Sequence, residues 1–97
     1  MPIDGLSPET LVQRVESVFS SSVGDELVIF DHERGTYYGS GPVGEAVWSA
    51  LAEPRSIASL TDHLMEQFEI DRATCEADVR AFVQELIGNG LVRVIAT

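Results

Sequence analysis

The stretch that most constrains this chain is ELVIFDHERGTYYG, Glu26 to Gly39. Leu27-Val28-Ile29-Phe30 is a short apolar run, rich in β-branched and aromatic residues and bounded by charges. That pattern predicts a strand covered on both faces. Asp31-His32-Glu33-Arg34-Gly35 is polar and places a Gly where a turn needs positive φ. Thr36-Tyr37-Tyr38 reads as a second, short strand, and Gly39-Ser40-Gly41 stops it. Everything downstream reads mainly as helix. The second strand of this hairpin therefore has few partners for its far side.

Upstream, two readings compete. Ser7-Pro8-Glu9 fits a helix start, with Ser7 as N-cap and Pro8 in the first helical position. Leu11, Val12, Val15, Val18 and Phe19 fit helical spacing. The β-branched content, the poor helix end Ser20-Ser21-Ser22 and the turn-like Val23-Gly24-Asp25 favour a strand from about Val15 to Ser22, paired with Leu27–Phe30.

Downstream, Gly41-Pro42 opens a helix with Val43, Ala46, Val47 and Leu51 on one stripe and Trp48 beside it as core; Pro54 closes it. Ser56 caps a second helix carrying Ile57, Leu60, Leu64, Met65 and Phe68 on one side. A third starts near Asp71 and runs to Gly88, with Val79, Phe82, Val83, Leu86 and Ile87 inward. Gly88-Asn89-Gly90 stops it. Leu91–Ile95 is a last strand or a packed tail. Two or three strands followed by three helices make an α+β layout, and three short helices beside a hairpin also describe a winged helix-turn-helix.

Length and charge narrow the function. The 97 residues make one domain, 1–97. The net charge is −10, and all six basic residues are scattered arginines, at 14, 34, 55, 72, 80 and 93. Phosphate backbones bind clustered Lys and Arg, so neither nucleic acid nor an anionic membrane is an expected partner. A basic partner suits the acidic balance better. The single cysteine, Cys75, excludes an internal disulfide and points to a reducing, cytoplasmic setting. MPIDGLSPE has no signal pattern, and no apolar run approaches the roughly 20 residues of a membrane span.

No catalytic set emerges. His32 and His63 belong to no HExxH motif, and CxxC spacing is absent. Asp31-His32-Glu33 is turn chemistry before it is a metal site. Cys75 is a small apolar filler unless a base adjoins it. There is no GxSxG and no phosphate-cradling loop. We therefore expect no enzyme, no cofactor and no metal. Asp62, Glu66, Glu69, Glu76, Asp78 and Glu85 read as a solvated face.

The open edge carries the functional expectation. Edge strands offer unpaired N–H and C=O groups, and their productive use is to receive an extended peptide as an added strand. Four to six backbone hydrogen bonds at roughly 0.5–1.5 kcal/mol net, less the ordering cost, fall short of the roughly −8 kcal/mol of micromolar binding. Apolar pockets must add to it, and Val79, Phe82, Val83 and Leu86 of the third helix are the candidates. Tyr37 and Tyr38, as strand neighbours, point to opposite faces.

Phe30-Asp31 followed by RGTYYGSGPVGEAVWSAL resembles the PqqD-like family, whose pattern is an LD turn, G-x-Y-Y, then L-N-x-V-G-x-x-I-W-x-x-L. Asp31, Gly35, Tyr37, Tyr38, Val43, Gly44, Val47, Trp48 and Leu51 carry the match. Asp78-Val79, Phe82-Val83-x-x-Leu86 and Gly90-Leu91-Val92 continue it, so the resemblance covers about Val15 to Val94. The family's Leu-Asn before the first helix is Ser40-Gly41 here, which keeps the cap but loses the Leu contact.

The resemblance implies a winged-helix-like fold with an N-terminal three-stranded antiparallel sheet followed by three helices. It also implies recognition of the leader of a ribosomally made precursor peptide, added as a strand between the third strand and the last helix and delivered to a processing enzyme. The lasso-peptide setting, with a leader peptidase, is favoured; a radical SAM enzyme partner is the alternative. The implied contacts are Thr36, Tyr37, Tyr38, Gly39 and Ser40 on the strand and Cys75, Val79, Arg80, Phe82, Val83 and Leu86 on the helix. Arg80 would meet an acidic leader residue; Val83→Asp would abolish binding without unfolding, or simply unfold the protein if Val83 is deep core. Outside this family, a dimerisation module pairing open edges competes, and a DNA-binding winged helix lacks the basic recognition helix it needs. A monomer or weak dimer is expected.

Overall fold

The computed structural model describes residues 6–16, 18–23, 26–31, 35–40 and 42–96, with the backbone alone at 22, 23, 31, 36–40 and 42. Among the described residues, two small antiparallel sheets and three helices share one core. The hairpin region forms the first sheet. β2 (Val18–Val23), β3 (Glu26–Asp31) and β4 (Gly35–Ser40) lie in that order. Phe19 pairs with Phe30 and Ser20 with Ile29; across the other side of β3, Ile29 pairs with Tyr37 and Val28 with Tyr38. This is the expected three-stranded antiparallel sheet preceding three helices. β4 runs two residues past its expected end, because Gly39 and Ser40 still pair with Leu27 and Glu26. Gly35 sits at φ +99°, the left-handed region that glycine enters without a Cβ penalty. The turn residues 24–25 and 32–34, including His32, lie outside the described residues.

The upstream segment is β, and it is two strands rather than one. β1 (Leu11–Arg14) leaves the hairpin sheet altogether. Its flanking Ser7–Thr10 is a turn, closed by Thr10 N–H donating to Ser7 O at 3.1 Å and Ser7 N–H donating to Thr10 Oγ1 at 3.2 Å. Ser7 is therefore no helix cap. β1 is the middle of a second sheet, between β5 (Arg55–Ser56) and β6 (Val92–Ala96). Val12 meets Arg55 on one side and Val94 on the other. Leu91–Ile95 thus resolves as strand.

The helices follow the sequence closely. α1 spans Pro42–Ala50, α2 Ile57–Gln67 and α3 Arg72–Gly88. Ser56 Oγ accepts from Ser59 N–H at 3.0 Å, and Asp71 Oδ2 from Thr74 N–H at 3.0 Å, so each helix start satisfies an otherwise orphaned donor. Past α3, Gly90 at φ +74° lets Leu91 N–H return to Leu86 O at 2.9 Å. The core collects Val12 from β1, Leu27 and Ile29 from β3, Val47, Trp48 and Leu51 around α1, Ile57, Leu60 and Leu64 from α2, and one stripe of α3. Met65, expected inward, is on the surface side of α2. Thr61 takes the inward place, its hydroxyl donating to Ile57 O at 2.8 Å.

Candidate functional site

Among the described residues, no strand pairs with the outer side of β4. In an antiparallel ladder every second residue turns its N–H and C=O away from its partner strand. About half the backbone groups of Gly35–Ser40 are thus presented outward. Across the sheet, β2 has an open outer side as well. The two edges differ in their surroundings. α1 packs on β3 and β4, and Val43 and Phe82 gather near its start, whereas β2 carries Phe19 into solvent at 79% exposure. A Cβ at Gly44 would meet Phe82 Cζ at 3.6 Å, so the small residue lets α1 lie against α3 there.

The expected site residues separate into three groups. The backbone of Thr36, Tyr37, Tyr38, Gly39 and Ser40 forms the edge itself. Tyr37 occupies the register position opposite buried Ile29, and Tyr38 the position opposite half-buried Val28. Cys75, Val79, Val83 and Leu86 are all 1% exposed or less and belong to the core. They sit at i, i+4, i+8 and i+11 of α3, a spacing that defines one continuous inward stripe. Their apolar character reflects packing on α2 and β6 first. Val83→Asp would therefore bury an unpaired charge, and the expectation that it spares the fold is corrected.

Arg80 and Phe82 are half-buried and flank that stripe. Two residues apart on a helix, they stand about 160° from each other. They therefore lie on different flanks of α3. Arg80 pairs with Glu76 at 3.5 Å, one turn back, and its Nε is buried without an acceptor.

Cys75, the chain's single thiol, is not poised to react. Cys75 Sγ lies 3.7 Å from Thr61 O, and burial, with a smaller contribution from the Asp78 charge, pushes its thiol up from the usual value. A raised pKa suppresses the thiolate that would react. Among the described residues, no group of three or more His, Cys, Asp and Glu side chains could hold a metal ion, and no helix is long and apolar enough to cross a membrane.

Two features escaped the sequence reasoning. One is the exposed pair Phe19 and Phe30, at 79% and 49%, directly opposite each other on the sheet. Their odd phase against buried Leu27 and Ile29 was the available signal. The other is a cleft of about 240 Å³ where β1 gives way to β2, against Trp48. It joins segments distant in sequence, which no local pattern reports.

A family model described as Coenzyme PQQ synthesis protein D (PqqD) matches residues 26–92, from the first residue of β3 to the first of β6. TbiB1, solved in complex with the TbiA(beta) leader peptide, is 27% identical, with 88% of this chain and 99% of that one covered and a TM-score of 0.75. The PqqD truncation of Methylobacterium extorquens PqqCD, a functional and stand-alone RiPP recognition element solved by NMR, is 16% identical. It covers 96% of this chain and 99% of its own, at a TM-score of 0.79. A lasso peptide synthetase B1 complexed with the leader peptide is 20% identical, covering 84% and 96%, at a TM-score of 0.69. No curated protein matches the chain.

Proposed function

The chain belongs to the PqqD family, and from that premise we propose that it recognises the leader region of a ribosomally synthesised precursor peptide without catalysing a reaction on it. The observation that carries this reading is the unpaired outer side of β4 in a sheet whose inner face is held by α1. An added antiparallel strand along Gly35–Ser40 makes about six backbone hydrogen bonds, each worth roughly 0.5–1.5 kcal/mol net. That supplies affinity for almost any extended peptide. Preference for one leader comes from side chains at the edge: Tyr37 or Tyr38, and whichever of Phe82 and Arg80 stands on the groove side of α3.

The buried α3 residues Cys75, Val79, Val83 and Leu86 fix the helix in place rather than touch the peptide. The leader-bound domain then delivers its precursor to a processing enzyme in the cytoplasm. We favour a leader peptidase of the lasso type over a radical SAM partner; TbiB1 and a lasso peptide synthetase B1, both solved with leader peptides, support a leader-binding role.

A proline scan of Thr36–Ser40, read by calorimetric titration with the leader of a precursor encoded nearby and by melting, tests this. Proline removes a backbone donor and is tolerated in strands only where that donor faces outward. Alternate substitutions should lower leader affinity at least about tenfold, the loss of one or two hydrogen bonds, with melting nearly unchanged. Substitutions in between should weaken folding. Leader binding indifferent to every outward proline would refute strand addition at β4. Phe82→Ala and Arg80→Ala, both off the buried stripe, then identify the wall the peptide meets.

A further inference from the structure

The other open edge of the same sheet is β2, farthest from β4 in the strand order. Its six residues, Val18-Phe19-Ser20-Ser21-Ser22-Val23, carry no charge and no proline, in a chain of net charge −10. The register against β3 runs without a bulge. Edge strands that must stay single are usually blunted by a lysine, a proline or a bulge, and β2 has none of these. It also presents Phe19, at 79% the most exposed large apolar side chain among the described residues, directly opposite Phe30 at 49%. Strand neighbours alternate, so both phenylalanines stand on the face away from buried Leu27 and Ile29.

An acidic partner surface or a basic one gains nothing from an uncharged strand; a second copy of that strand fits it. We propose that two copies of this chain associate through β2, antiparallel across a two-fold axis normal to the sheet. Such an axis keeps like faces together, so opposed residues are an even number of positions apart. Centring it on Ser20 pairs Val18–Ser22 with the same five residues of the second copy, in reverse. The two Phe19 rings then become diagonal neighbours, roughly 7–8 Å apart at the backbone and within aromatic reach. With the two Phe30 rings they form one cluster of four. The product is a six-stranded sheet with a β4 at each end. Both β4 edges stay open, so this association is independent of peptide addition there, and either can fail without the other. At about 200 Å² per phenylalanine side chain, the exposed parts of Phe19 and Phe30 offer about 500 Å² over the two copies. Even with the paired backbone added, that sits at or below the roughly 1,200 Å² where stable complexes begin. Two chains of charge −10 also repel each other. The dimer is therefore weak and reversible.

Sedimentation equilibrium of the full chain between about 10 μM and 1 mM spans the affinity such a contact can reach. We expect a reversible monomer–dimer equilibrium and nothing larger, because a two-fold contact closes on itself. Raising sodium chloride from about 0.02 M to 0.2 M should tighten it several-fold, since salt screens the repulsion between the two acidic chains. Phe19→Ser should raise the dissociation constant at least about tenfold with melting unchanged, the ring being almost fully exposed. Ser20→Cys tests the register directly. Residues opposite each other have Cβ atoms about 5 Å apart, so mild oxidation should link this variant into dimers. Buried Cys75 does not compete. Tyr38→Cys, on the β4 edge, should stay monomeric under the same oxidation. A chain that is monomeric at 1 mM, a dimer indifferent to Phe19→Ser, growth beyond dimers, or crosslinking at Tyr38→Cys in place of Ser20→Cys would each overturn the proposal.

Discussion

The two sheets are alike in size and opposite in construction. In the β5–β1–β6 sheet the middle strand is claimed on both sides by segments remote in sequence, Arg55–Ser56 and Val92–Ala96. In the β2–β3–β4 sheet each strand pairs with its sequence neighbour, and both outer sides are left unpaired among the described residues. The first sheet ties the chain together; Val12 at its centre is fully buried, and Arg14 N–H and Val15 N–H reach across to Leu51 O and Leu91 O. The second is anchored through one face only. Leu27 and Ile29 enter the core while Phe30 stays 49% exposed. Both sheets keep two unpaired outer sides among the described residues, but β5 is only two residues long, whereas the β4 edge runs for six residues beside α1.

Substitutions can break or sharpen that contrast. The largest effect should come from Val83→Asp, in the core. A buried, unpaired charge costs more than about 3 kcal/mol, a large share of the 5–15 kcal/mol of a typical domain. Far-UV circular dichroism should show no cooperative melt; a folded Val83→Asp protein deficient only in leader binding would restore a groove role for α3's central stripe. Next, Val12→Ala in the closed sheet should cost about 2 kcal/mol, read from the urea midpoint. A cost below about 0.5 kcal/mol would erase the distinction between a tying sheet and a binding sheet. Ser56→Ala, where β5 hands over to α2, removes one capping acceptor and should cost about 1 kcal/mol.

The smallest effect lies outside both sheets and serves as the control. Hydrogen bonds from Thr74 hold the Asp71 carboxyl below its usual range. A carboxyl with a lowered folded-state pKa contributes stability above its unfolded value, and that contribution disappears as pH falls through the folded value. Wild type should therefore melt slightly above Asp71→Asn at neutral pH, and the gap should close in acid. A gap that persists below the carboxylate range would mean the cap does not act through its charge.

Local features were legible in the sequence. The hairpin strands, the Ser56 cap, the start of α3 near Asp71, the Pro42 start of α1 and the Gly90 stop each rest on residues within a few positions of one another, and the structure keeps them all. β1 was harder. Ser7-Pro8-Glu9 and the spacing of Leu11, Val12 and Val15 satisfy a helical template, and what overrides it is Val94, far along the chain. The α3 stripe was legible as apolar, but periodicity cannot tell a core wall from a groove wall. Only the burial of Cys75, Val79, Val83 and Leu86 separates them. Arg80 and Phe82 read as site companions in sequence, and helical geometry puts them on different sides.

The most direct test of the central claim is an amide NMR titration of the labelled protein with the leader of a precursor encoded nearby. The account predicts saturable shifts concentrated in Gly35–Ser40, slowed exchange at alternate amides of that strand, a response along one flank of α3, and little change in β1 and β6. Saturable binding that leaves β4 unmoved, or a folded protein that binds no leader, would contradict it.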